Sequence, residues 1–153
     1  VINKSISNIL SDMMATGFVA IIDLDNKNIS YSNASHNPPL IIKSNNIALT
    51  KESIIPVIDN LGKRLGEDIE EVFSSSTMDL NLGDKIIFYT DGLTEGENLE
   101  KKQWGKRNFH KSLMSQGNKS ISHLVDSVVN DSYNFYGDEP QSDDITIVGV
   151  ELK

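Results

Sequence analysis

Asp91, Asp143 and Asp144 are the residues whose type and placement could do chemistry. Asp91 closes the apolar run Ile86-Ile87-Phe88-Tyr89-Thr90, and Asp143-Asp144 opens the run from Ile145 to Leu152. Carboxylates gathered without a basic neighbour in sequence suit a hard divalent cation such as Mg²⁺ or Mn²⁺, which prefers oxygen ligands. If both runs are strands and pair antiparallel, the end of the first lies beside the start of the last. Asp91 and Asp143 then share one rim of a sheet, with Asp144 next to Asp143 in sequence, a place to hold such a cation. Gly92 permits a positive φ and a close approach of backbone and water to an ion. Taken alone, an Asp-Gly pair before Leu93 reads instead as the N-cap of a helix.

The elements that must position these acids follow from periodicity. In the central run, Ile86 and Phe88 point to one face and Ile87 and Tyr89 to the other, so the strand is apolar on both sides and needs cover above and below. The final run is similar, with Ile145 and Ile147 opposite Val148, Val150 and Leu152. Upstream, Val1, Ile2, Ile6, Ile9, Leu10, Met13 and Met14 recur at helical spacing. That predicts an amphipathic helix ending near Ala15-Thr16-Gly17, with the Met pair as core filler. Phe18 to Leu24 and Ile29 to Asn33 read as a hairpin turning at Asp25–Asn28. Leu40 to Lys43 and Ile47 to Thr50 read as a second strand pair around Ser44-Asn45-Asn46.

Residues 51–68 read as strand fragments and loops, and Ile69 to Leu80 as a strand turning at Asn81–Asp84 into the central one. Gly96 to Gln103, polar and charged, reads as a flexible flap or a short helix beside the acidic rim, with Trp104 anchoring its far end. Lys106 to Met114 and Ile121 to Phe135 are helices, the second with Ser120 as N-cap. Other polar residues take structural readings. His36 fastens the turn at Pro38-Pro39 through its ring, His110 and His123 have surface or capping roles, and Lys63-Arg64 is a solvated loop. Glu95, Glu97 and Glu100 form a solvated flap face with no catalytic part.

Composition narrows the partners. The 153 residues suffice for one domain or most of one, and 38% hydrophobic with 24% charged residues is ordinary for a globular protein. A net charge of −8 argues against a nucleic-acid surface and favours metal ions or basic peptides. With no cysteine, thiolate metal sites and disulfides are impossible, which fits a cytoplasmic location. No run is long enough for a membrane span, and the first residues lack the marks of a signal peptide.

Three blocks carry a resemblance. Gly83-Asp84-Lys85-Ile86-Ile87-Phe88-Tyr89-Thr90-Asp91-Gly92-Leu93-Thr94-Glu95 resembles the GD-x-(apolar)-x-(apolar)-Y-T-D-G-x-x-E block of the bacterial SpoIIE-like serine phosphatases. These belong to the metal-dependent PPM, or type-2C, protein phosphatases. Asp143-Asp144-Ile145-Thr146 resembles the family's closing D-D-x-T block. Asn33-Ala34-Ser35-His36-Asn37-Pro38-Pro39-Leu40 is similar to its A-G-H-x-P turn, with Ser35 in place of the usual glycine. Leu65-Gly66 and Trp104-Gly105 match more weakly. Order and spacing agree across essentially the whole chain.

The resemblance implies an α+β fold, the four-layer αββα sandwich of the type-2C phosphatases, here without its N-terminal strands and first helix. The family's opening (E/G)D-x-x-D and D-x-S-G-H-G blocks, the second of which supplies a metal-bridging aspartate, have no match. The chain is therefore expected to be one domain, the C-terminal portion of a catalytic domain, inactive alone. The implied reaction is hydrolysis of phosphoserine or phosphothreonine by water activated on two divalent cations, Mn²⁺ or Mg²⁺. By this analogy Asp91 and Asp143 serve as metal ligands, Asp144 as an adjacent or alternative ligand, and Gly92 lies beside the metal. The implied substrate is a phosphorylated regulator of the anti-anti-sigma (STAS) type, and a sensor domain lies N-terminal in the parent protein. Alongside these blocks, the ligand reading of Asp91 outweighs the N-cap one. The alternative, from the absent blocks and Ser35, is a non-catalytic pseudophosphatase-like module that binds a regulatory partner.

Overall fold

The computed structural model describes residues 2–9, 13–44 and 49–153. In chain order its elements are α1 Ile2–Ile9, β1 Gly17–Asp23, β2 Asn28–Ala34, β3 Leu40–Ile42, a 3-10 turn Lys51–Ser53, β4 Ile54–Pro56, β5 Leu61–Gly62, β6 Ser76–Asp79, β7 Lys85–Tyr89, α2 Gly92–Glu95, α3 Gly105–Gln116, α4 Ile121–Tyr136 and β8 Ile147–Glu151. They fall into two compact units, residues 1–38 with 57–80 and residues 39–56 with 81–153. Among the described residues, no helix is long and apolar enough to cross a membrane.

The first unit is built on the β1–β2 hairpin, paired antiparallel from Gly17↔Ala34 to Asp23↔Asn28. Its turn is fixed by Asp23, whose carboxylate accepts from the Asn26 backbone N–H at 2.9 Å and from Nδ2 at 2.8 Å, an Asx arrangement that lowers the Asp23 pKa. Along β2, Ile29, Tyr31 and Asn33 are buried in alternation, so one face carries the contacts. The strand expected over Ile69–Leu80 is shorter, Ser76–Asp79. It pairs with Asn28–Tyr31, and β5 occupies the same edge of β2 at Asn33 and Ala34, so no ladder remains for residues 69–75. Val72 is accordingly 87% exposed. The described helix α1 is Ile2–Ile9, and Met13 and Met14, which the periodicity included, are not helical; Val1 and residues 10–12 lie outside the described residues. Met13 and Met14, 62% and 50% exposed, are not core filler: they sit beyond the helix, where a helical stripe has no meaning.

The second unit holds a fully antiparallel sheet of order β4-β3-β7-β8. Here β3 pairs with Ile54–Pro56 rather than with the expected Ile47–Thr50. Thr50 and Ser53 close the 3-10 turn that leads into β4, Thr50 N–H donating to Ser53 Oγ at 3.2 Å. Asn45, Asn46, Ile47 and Ala48 lie outside the described residues. Both helices expected after residue 105 are present, and the Ser120 hydroxyl caps α4 by accepting from the His123 N–H at 3.4 Å. Their apolar stripes, Phe109 and Leu113 on α3 and Leu124 and Val128 on α4, pack on Leu40, Ile42, Ile87 and Tyr89 of the sheet. Phe109 stands edge-on to Tyr89 with ring centroids 4.8 Å apart.

The entry to β7 is held by a buried carboxylate. Asp84, with no exposed surface, accepts from the Ser44 N–H at 2.7 Å, the Asn81 N–H at 2.9 Å and Lys43 Nζ at 2.9 Å. This explains why a Gly-Asp pair precedes the central strand: the acid gathers two loop amides and the Lys43 ammonium around one buried acceptor. Replacing Asp84 with Ala is expected to cost about 2–4 kcal/mol, since the amides lose their acceptor while partly exposed Lys43 recovers some hydration. Urea denaturation midpoints at constant slope check this.

Candidate functional site

The register of β7 against β8 decides where the acids lie. Tyr89 pairs with Ile147, and the ladder continues by one bond, Thr90 N–H donating to Thr146 C=O at 3.0 Å. Beyond it, Thr90 Oγ1 donates to the Asp144 carbonyl at 3.0 Å and accepts from the Thr146 N–H at 2.9 Å. Gly92 completes the junction. A Cβ there would stand 2.5 Å from the Asp144 carbonyl oxygen and 3.2 Å from that of Asp143. The backbone bearing Asp91 thus lies directly against the backbone bearing Asp143 and Asp144, at one rim of the sheet. The expected positive φ at Gly92 is absent: the residue opens α2, and glycine is needed there for close approach rather than for a left-handed turn.

Asp91 does occupy the N-cap position of α2, yet its side chain makes no capping bond. Its carbonyl does that work, accepting from Thr94 N–H and Glu95 N–H at 2.8 Å and from Thr94 Oγ1 at 3.2 Å. The carboxylate is therefore left exposed at the rim. Asp143 and Asp144 are exposed as well, and among the described residues none of the three joins an ion pair. The 143 loop is organised locally, Asp144 N–H donating to Asp143 Oδ1 at 2.8 Å and Gln141 Nε2 to the Asp143 carbonyl at 2.5 Å.

Exposed oxygen donors free of basic partners suit a hard cation. Among the described residues, however, no group of three or more His, Asp or Glu side chains converges into a metal cluster. These acids fit a divalent ion in chemistry and supply part of a coordination shell.

Two braces behind the rim are not evident from sequence. Tyr136, at the end of α4 and 5% exposed, donates its hydroxyl to the Leu93 carbonyl at 2.5 Å, and its ring lies against Gly96. Burial pushes its phenol above the ordinary value, so it remains a donor at neutral pH. Trp104 is buried and its backbone N–H donates to the Gly96 carbonyl at 2.9 Å. The segment between them, expected as a flap, is a tied loop with a bridge at Glu97↔Gln103. Glu100 pairs with Lys102 at 2.7 Å, both exposed, which agrees with a solvated face. A tyrosine in an amphipathic helix gave no signal that it would reach a carbonyl 43 residues away.

The remaining polar residues take structural places. The turn after β2 is fastened by Asn33, whose side chain accepts from the His36 N–H at 2.8 Å and donates to the His36 carbonyl at 3.0 Å. An amide offers donor and acceptor together, so it does what was expected of the His36 ring, which instead pairs with Thr16 Oγ1 at 3.1 Å. Ser35 has a φ of 54°, the left-handed region where the similar turns carry glycine, and its hydroxyl donates to the Gly62 carbonyl at 2.8 Å. Lys63 and Arg64 pair with Asp68 and Glu67 at 2.7 and 2.9 Å on an exposed loop. His110 lies half-buried beside Phe109, and burial, with the charges of Lys51 and Lys106, lowers its pKa.

With this geometry in hand, comparison with known proteins is informative. The family model described as Stage II sporulation protein E (SpoIIE) matches residues 1–153. Protein IcfG of Synechocystis sp. is 28% identical over 138 residues, 90% of this chain and 20% of that protein. The chain therefore spans about a fifth of the length of that curated relative. Among solved structures, the SiaA-PP2C domain of Pseudomonas aeruginosa superposes with a TM-score of 0.80 at 15% identity, over 99% of this chain and 58% of that one. The phosphatase domain of the cell fate determinant SpoIIE from Bacillus subtilis gives 0.65 at 18% identity, over 98% and 64%. At these identities the structural likeness establishes the fold, an α+β fold of the PP2C kind.

Substituting Ser35 by Gly is expected to change stability by less than about 1 kcal/mol, because relief of a left-handed conformation, about 1 kcal/mol, offsets a lost hydrogen bond of similar worth. Substituting Tyr136 by Phe leaves the buried Leu93 carbonyl unpaired and is expected to cost about 1–3 kcal/mol. Thermal or urea unfolding of both variants measures the contrast.

Proposed function

Because this chain belongs to the SpoIIE family of phosphatases, we propose that it is the C-terminal part of the catalytic domain of a cytoplasmic, metal-dependent serine/threonine protein phosphatase. Its substrate is a phosphoserine on a regulator of the STAS type, and a sensor domain lies N-terminal in the parent protein. Asp91, Asp143 and Asp144 contribute carboxylate ligands to a pair of divalent cations, Mn²⁺ or Mg²⁺. The observation that supports this most is the contact of Gly92 with the Asp143 and Asp144 carbonyls, which brings acids 52 residues apart, Asp91 and Asp143, to one sheet rim.

The roles follow from the chemistry of the groups. When bound, the cations supply Lewis-acid activation of water and neutralise charge on the phosphoryl oxygens. Exposed carboxylates without basic partners offer oxygen donors to such ions. Gly92, itself buried, lets the backbone that carries Asp91 lie against the backbone that carries Asp143 and Asp144. On this reading water, rather than a side chain of the protein, would be the nucleophile toward the phosphoserine. Because these acids form only part of a coordination shell, the fragment alone is inactive and the parent protein supplies the remaining ligands.

The test is turnover of a phosphoserine peptide with Mn²⁺ or Mg²⁺, by this chain and by its parent. The parent is expected to be active and silenced by EDTA, with Asp91→Asn and Asp143→Asn each lowering turnover by about a hundredfold or more. Strong turnover by the fragment alone would contradict its incompleteness. A parent that binds a regulator yet never turns over would instead favour a non-catalytic binding module.

A further inference from the structure

The hydroxyl of Thr90 sits where the two acidic segments meet, and it takes the place of a backbone group. In a regular antiparallel pair, Thr90 and Thr146 would exchange both N–H to C=O bonds. One is present, from Thr90 N–H to Thr146 C=O at 3.0 Å. In place of the other, the Thr90 carbonyl accepts from Leu93 N–H at 3.2 Å as the chain turns into α2. The Thr146 N–H is satisfied by Thr90 Oγ1 instead, at 2.9 Å, and the same oxygen donates onward to the Asp144 carbonyl at 3.0 Å. The hydroxyl therefore extends the β7–β8 ladder while the main chain departs with Asp91. It fixes the backbone of 144–146 against that of 90–91 with both its donor and its acceptor capacity.

Resting on the metal-dependent reading above, we propose that Thr90 is a positioning residue whose hydroxyl sets the separation of the Asp91 and Asp143 carboxylates and so the affinity of the rim for a divalent cation. Isosteric Val removes both hydrogen bonds; Ser keeps them. Groups that orient metal ligands without touching the metal change affinity by roughly 10–100-fold when lost.

The experiment uses the full-length parent protein and its Thr90→Val, Thr90→Ser and Val128→Ala variants, the last a core truncation on α4 away from the rim. Hydrogen exchange at the Thr146 amide is followed in metal-free protein. Mn²⁺ dissociation constants are read from the EPR signal of free Mn²⁺. Thr90→Val is expected to speed Thr146 exchange and weaken Mn²⁺ binding about tenfold or more, with Thr90→Ser within about twofold of the unaltered protein. Val128→Ala is expected to lower stability and leave Mn²⁺ affinity in place. Unchanged affinity in Thr90→Val, equal losses in Thr90→Ser and Thr90→Val, or an equal loss in Val128→Ala would each overturn the positioning role. If the unaltered protein binds no Mn²⁺, the metal-dependent reading falls instead, and Thr146 exchange still reports whether the hydroxyl holds the junction.

Discussion

The pairing of β7 with β8 is the constraint on which the second unit depends. Its register, Lys85↔Glu151 through Tyr89↔Ile147, assigns Ile87 and Tyr89 to the face that packs on α3 and α4 and carries Thr90 to Thr146. Because side chains alternate with a period of two, a slip by one residue would turn those apolar groups to the other face. The same slip would carry the Asp91 turn away from the Asp143 loop. Burying the core and assembling the acidic rim are thus one requirement.

Both ends of β7 are secured by groups that do not belong to its ladder. At its start, Asp84 collects the Ser44 and Asn81 amides and Lys43, while Gly83 N–H and Leu152 N–H exchange bonds with Leu152 and Asp84 carbonyls at 2.8 and 3.1 Å. At its end, the Thr90 hydroxyl continues the pairing and Tyr136 holds the first turn of α2 through Leu93. A four-residue helix cannot sustain itself in water. It stands because a buried phenol and the Thr94 hydroxyl satisfy groups at its start, which leaves the Asp91 carboxylate without a structural duty.

That distinction separates two uses of an acid in the same short motif. Asp84 is buried and saturated with donors, so it serves the fold; Asp91 is exposed and unengaged, so it is available for chemistry. The proposed phosphatase role rests on this second kind of acid, repeated at Asp143 and Asp144, in a chain that covers about a fifth of its curated relative.

The sequence by itself determined the apolar strands, the β1–β2 hairpin and the helices α3 and α4. It also placed acids at the two strand ends, since alternation and helical stripes are local and unambiguous over runs such as Ile86–Tyr89 and Ile121–Val129. The family motifs added the fold. Sequence could not determine the partner of β3, the length of β6 or the exposure of Met13 and Met14, because each depends on which edge or face another segment has already taken. Nor could it show that Gly92 is required for contact rather than for φ, or that Thr90 and Tyr136 hold the acidic turn. Those are distances between residues far apart in the chain, and only the folded backbone sets them.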